Sequence, residues 1–255
     1  MRRREKFVVI SLLLSILLLI VQYVPLDFRY LAVALFGSVT YLLSAWALSE
    51  DLQTFEWWTI LPFPSVYAIS VALFYFLLPE SFLSRVIMFA VFGVGLYAVF
   101  LACNIFSVAK GRTIQLLHAA RAIGLLFTLI TSTLLLNTIF SLRLAWYING
   151  FLVFISHVPL ILSALWSIQL EQAVPKPIVR ISLLFSLLLG EIAIALSLIP
   201  LTIWNSSLFT MAFLYLGLGV IQNFLQGRLF RNITIEYSLV GLLALSVFLL
   251  LFPGK

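Results

Sequence analysis

Nine long apolar runs follow one another from Phe7 to Phe252, and nearly every charged residue falls in the gaps between them. A helix needs roughly 20 mostly apolar residues to cross a hydrocarbon core about 30 Å thick. No stretch between the runs is long enough for a water-soluble domain. Hydrophobic residues make up 64% of the 255 and charged residues 9%, against about 25% charged in an ordinary soluble domain. The runs are continuous and do not alternate with a period of two, which argues against a β-barrel. In lipid that leaves helices, because only they satisfy every backbone amide and carbonyl within the segment itself. The expected fold is all-α, a polytopic transmembrane helix bundle of about nine spans forming a single integral membrane domain over residues 1–255.

The expected spans are 7–24, 30–48, 59–78, 86–106, 117–140, 144–168, 178–199, 206–225 and 235–251. Pro25, Pro79, Pro175, Pro177 and Pro200 lie at or just beyond their ends, where a missing amide proton costs least. The third span is the irregular one. Trp57-Trp58 followed by Pro62 and Pro64 suits either a full span or a re-entrant entry. The start, Arg2-Arg3-Arg4-Glu5-Lys6 before Phe7–Val24, has the charge of a secretory signal, but its apolar core is too long and no small-residue cleavage site follows. It reads as a retained first span.

Lys and Arg collect on the cytoplasmic side of a membrane protein. Placing the N-terminus inside puts Arg2, Arg3, Arg4, Lys6, Lys110, Arg112, Arg121, Lys176, Arg180, Arg228 and Arg231 there, and leaves Arg29, Arg85, Arg143 and Lys255 outside. Eleven against four predicts N-in, C-out. One inner loop dissents, because Glu50, Asp51 and Glu56 bring acid with no basic neighbour in the loop. The net charge of +6 therefore points to lipid headgroups, and no nucleic-acid partner is expected. Trp46, Trp57, Trp58 and Trp166 fall at inner ends and Trp146 and Trp204 at outer ends, as an aromatic belt at headgroup level requires. Gly93-Val94-Gly95 and Gly217-Leu218-Gly219, each followed by an Asn and a Gly-Arg, hint at duplication. They also suit close helix approach through small residues.

Glu191 is the one acid near the middle of a span, in Leu189-Gly190-Glu191-Ile192. An acid at a helix centre costs about 2.5–3.5 kcal/mol on insertion scales, so it must be protonated or partnered. His157 lies near the middle of the preceding span, and Val174 in the intervening turn stands 17 residues from each. In an antiparallel hairpin equal counts mean similar depth. Such a pair could relay protons or bind a cation, or it could be a polar clip worth about 1 kcal/mol.

A second constellation opens the fifth long helix. Lys110, Arg112, Gln115, His118 and Arg121 recur at roughly helical spacing. At a bilayer surface they suit an anionic or phosphate-bearing lipid, or simple snorkelling. The lone Cys103 excludes an internal disulfide. No phosphate loop, HExxH, GxSxG or metal-ligand spacing is present, so no cofactor, metal or catalytic residue is expected.

Glu50-Asp51-Leu52-Gln53 with Leu61-Pro62, then Phe74-Tyr75-Phe76-Leu77-Leu78-Pro79, and Gly111-Arg112-Thr113-Ile114-Gln115-Leu116-Leu117 with Ala119-Ala120-Arg121-Ala122 resemble an uncharacterised family of bacterial multi-span membrane proteins that carry a domain of unknown function. The resemblance covers about residues 50–145. It implies a bacterial inner-membrane location and brings no activity or site residue with it. Two functions stay open. One is a non-enzymatic structural or accessory membrane protein. The other is a transporter or lipid-handling permease that uses Glu191 with His157.

Overall fold

A computed structural model describes residues 3–50, 52–109, 116–171 and 173–250. Among the described residues there is no strand. The helices are α1 (Arg3–Gln22), α2 (Arg29–Leu48), α3 (Glu56–Thr59), α4 (Pro62–Tyr75), α5 (Phe82–Val108), α6 (Leu116–Ser141), α7 (Trp146–Gln169), α8 (Lys176–Ser197), α9 (Ile203–Leu225) and α10 (Arg231–Leu250). With α3 and α4 taken together as Glu56–Tyr75, nine helices among the described residues are long and apolar enough to cross a membrane.

The irregular third span is a broken helix. The α3 turn ends at Thr59 and α4 restarts at Pro62, whose ring fixes a helical φ and lacks the amide that would otherwise continue the ladder. At the break, Ile60 and Leu61 both donate their amides to the Glu56 carbonyl, which keeps the interruption hydrogen-bonded.

The chain forms two compact units, with the boundary inside α6 between Thr131 and Ser132. In the first, the broken helix is the most enclosed element. It packs on α2, α5 and α1, while α1 also lies along α5 and α2. Rings fill the interior: Phe7 stacks on Phe100 at 5.7 Å, Tyr67 on Phe92 at 5.7 Å, and Phe127 meets the Tyr67 edge at 5.4 Å. Ser65 donates to the Gly37 carbonyl at 2.8 Å, a close approach of α2 and α4 that a larger residue at Gly37 would block. One end of this unit is tied by charge. Arg3 Nε and Lys6 Nζ donate to Glu50 at 2.6 and 2.9 Å, so one acid of the dissenting loop finds its bases on α1. Those bonds hold the Glu50 carboxyl well below the usual range, at about 2.

In the second unit the α7–α8 hairpin is the tightest contact. A Cβ on Gly190 would fall 2.8 Å from the Gly150 carbonyl oxygen, so the two backbones touch only because both positions are glycine. Pro159 stays inside α7 without ending it. Helix α9 packs on α7 and α8, and α10 packs on α9. Gly227, at φ +64, makes the turn between α9 and α10.

The tryptophan expectation needs one correction. Trp46, Trp57, Trp58, Trp146 and Trp204 are exposed, but Trp166 is 0% exposed. The last turns of α7, from Ser163 to Ile168, are buried on every side, so this ring is core and not belt.

Candidate functional site

His157 is completely buried on α7. Its Nδ1 lies 2.8 Å from the Val153 carbonyl oxygen and 3.1 Å from Ser156 Oγ, and its Nε2 lies 2.9 Å from Ser132 Oγ on α6. A carbonyl can only accept, which assigns the proton of a neutral imidazole to Nδ1 and makes Nε2 the acceptor for the Ser132 hydroxyl. Every polar atom of the ring is then satisfied without a charge. The bond to Ser132 joins α6 to α7.

Glu191 has the opposite surroundings. It is exposed on α8, in a stripe with Leu184, Leu187, Leu188 and Leu198, all of them exposed as well. Gly190 faces α7, and the next residue along a helix is turned by about 100° from it. The side chain of Glu191 makes no hydrogen bond or ion pair with the described residues. His157 and Glu191 therefore do not meet. The hairpin register adds to the separation: Gly190 sits against Gly150 and Phe154, so Glu191 is level with those residues and not with His157.

Of the residues at the start of the fifth long helix, Lys110, Arg112 and Gln115 lie outside the described residues. His118 is exposed and Arg121 is half-buried on the first turns of α6.

A buried acid was not singled out as a site residue by the sequence. Glu56 opens α3 and is 0% exposed. Its Oε2 accepts the Gln53 amide at 2.7 Å and the Ser107 hydroxyl at 3.3 Å. Position in a loop hid it, although the Trp-Trp-x-x-x-Pro run beside it marked an unusual helix start. Ser132 was missed for a related reason. A serine inside an apolar span usually bonds its own helix carbonyl, and only the fold brings it to His157. Among the described residues, no three His, Cys, Asp or Glu side chains could hold a metal ion together.

Among the described residues, nine helices long and apolar enough to cross a membrane, together with small-residue helix contacts, suggest a class, the multi-pass helical membrane proteins. Within that class the chain belongs to the family described as Protein of unknown function (DUF5656), matched over residues 31–251. That match extends well beyond the stretch that carries the resemblance seen in the sequence. No curated protein and no solved structure matches the chain.

Proposed function

We propose that this chain is a non-enzymatic accessory protein of the bacterial cytoplasmic membrane, oriented N-in and C-out. The exposed face of α8 docks a spanning helix of another protein. The observation that carries this reading is the placement of Glu191, mid-helix among exposed leucines with no partner among the described residues. In hydrocarbon a carboxyl group needs a hydrogen-bond partner, charged or protonated. A spanning helix with an Asn, Gln, His or basic side chain at the same depth supplies one. His157 supports the reading from the other side: saturated by Ser132 and Val153, it is a clip between helices.

The alternative is a transporter or lipid-handling permease in which Glu191 couples flux to a proton. The accessibility of the carboxyl favours it, and the absence of His157 from its surroundings counts against the paired relay. Photo-crosslinkers placed at Leu184 and Leu188 in native membranes separate the two. The docking reading expects one discrete protein adduct that Glu191→Leu abolishes and Leu198→Ala preserves. Adducts to lipid only, or a pH-driven flux lost in Glu191→Gln, would give the site to the alternative. An adduct to a second copy would make the partner this chain itself.

A further inference from the structure

At the end of the first unit opposite Glu50, four helix ends gather: the end of α1 at Tyr23, the start of α2 at Arg29, the end of α4 at Tyr75, and the first turn of α5 at Arg85. The Arg29 guanidinium lies 4.7 Å from the centroid of the Phe76 ring, and that of Arg85 lies 5.2 Å from the Tyr23 ring. Tyr75 and Phe76 are consecutive, so the two cations flank one helix end. The Tyr75 hydroxyl is within electrostatic reach of Arg85, Tyr23 and Glu80. Three donors here are buried without an acceptor among the described residues: Arg29 Nε, Arg85 Nε and the hydroxyl of Tyr75, a residue only 1% exposed.

The ordinary explanations do not cover them. Arginine beside a helix C-terminus can bond the last carbonyls, but neither Arg29 Nε nor Arg85 Nε bonds one among the described residues. Asp27 and Glu80 are nearby in the chain and exposed, yet neither forms an ion pair with either arginine among the described residues. Stacking on a ring fixes the plane of a guanidinium and leaves its donor edge open. Two fixed forks and a phenol, all donors, suit an oxyanion with several acceptor oxygens, and a phosphate is the common one.

The surface below them suits the rest of a lipid. Arg85, Phe89, Gly93 and Tyr97 recur every four residues along one face of α5. Tyr23 is level with Arg85, and Ser15 is level with Gly93. Between the two helices runs an apolar cleft of about 260 Å³, lined by Ser11, Ser15, Phe89, Ala90, Gly93 and Tyr97 among others. Phe89 stands one helical turn from Arg85, about 6 Å along the axis.

We propose that this rim and cleft bind one phospholipid, with its phosphate on Arg29, Arg85 and Tyr75 and an acyl chain in the α1–α5 cleft. The site does not involve α8 or its partner. On the proposed orientation it faces outward, where the chain has few other cations.

The test is native mass spectrometry of the full-length protein titrated with phosphatidylglycerol, with inorganic phosphate as a separate probe of thermal stability. Arg29→Gln with Arg85→Gln should weaken the tightest lipid site about tenfold or more, as loss of two charge-assisted contacts implies. Tyr75→Phe should weaken it several-fold while leaving the ring in place, and so reports even if the double variant folds poorly. Ala90→Phe, an exposed position that fills the cleft, should displace the lipid with both arginines intact. Equal lipid retention in wild type and all variants would overturn the proposal. So would stabilisation by inorganic phosphate that Ala90→Phe leaves untouched, with no lipid retained, since the acyl half would then be wrong.

Discussion

The α7–α8 hairpin carries two ionisable side chains near mid-span, and the two faces of that hairpin treat them in opposite ways. His157 points inward to a hydroxyl and a carbonyl that fit a neutral ring. Glu191 points away from the partner helix, among exposed leucines, and receives no hydrogen bond from the described residues. The same hairpin thus has a finished side and an unfinished one. A polar group enclosed by its own chain is explained by that chain's stability. One left open in an apolar surface must be explained by something outside the chain, which is why the functional reading rests on Glu191. Glu50 sharpens the contrast, because it too is an exposed acid, but its two bases are in place.

Five substitutions test the comparison, from the largest effect to the smallest. Gly190→Leu should separate α7 from α8, because its Cβ already meets backbone at Gly150. Forcing that contact apart should destabilise by about 3 kcal/mol, read as a drop in the unfolding midpoint in detergent. A near-neutral result would mean that the glycine contact does not set which face carries Glu191. His157→Ala should cost about 2 kcal/mol, from the cavity and the stranded Ser132 hydroxyl. The double variant with Ser132→Ala should cost less than the sum of the two single changes, since the bond is lost only once. Strict additivity would show that the two do not interact.

Glu191→Leu should change the stability of the isolated protein by about 0.5 kcal/mol or less, as surface substitutions do. A large loss would mean that the carboxyl has an internal partner. The smallest effect belongs to Glu50. Its carboxyl is lowered from 4.5 to about 2 by Lys6 and Arg3, so its contribution is fully present above the ordinary carboxylate value and fades as pH falls through that window. In Glu50→Gln the dependence of the midpoint on pH between those values should flatten, and added salt should shrink the difference in wild type. An unchanged pH profile would show that the ion pair contributes nothing measurable.

Run length and hydropathy placed every long helix, because a bilayer-spanning segment must be apolar along its whole length. Pro62 and Pro64 flagged the break between α3 and α4. The sites were less legible, and for one physical reason: sequence gives depth along a helix but not rotation about it or register between neighbours. Counting from Val174 put His157 and Glu191 at one level, yet the glycine contact shifts the register and turns Glu191 away. Trp166 looked like a belt residue by depth and is core by rotation. Arg29 and Arg85 read as scattered outer cations because only the antiparallel return of α1, α2, α4 and α5 brings them to one rim with Tyr75.

The most direct measurement is the rate at which an apolar carbodiimide labels Glu191, compared between native membranes and purified, reconstituted protein, with Glu191→Gln as the blank. An acid that faces lipid in the isolated chain and a partner helix in the cell should label readily when purified and slowly in native membranes. Equal rates in the two preparations would contradict the account and leave Glu191 facing lipid or a solvent path at all times.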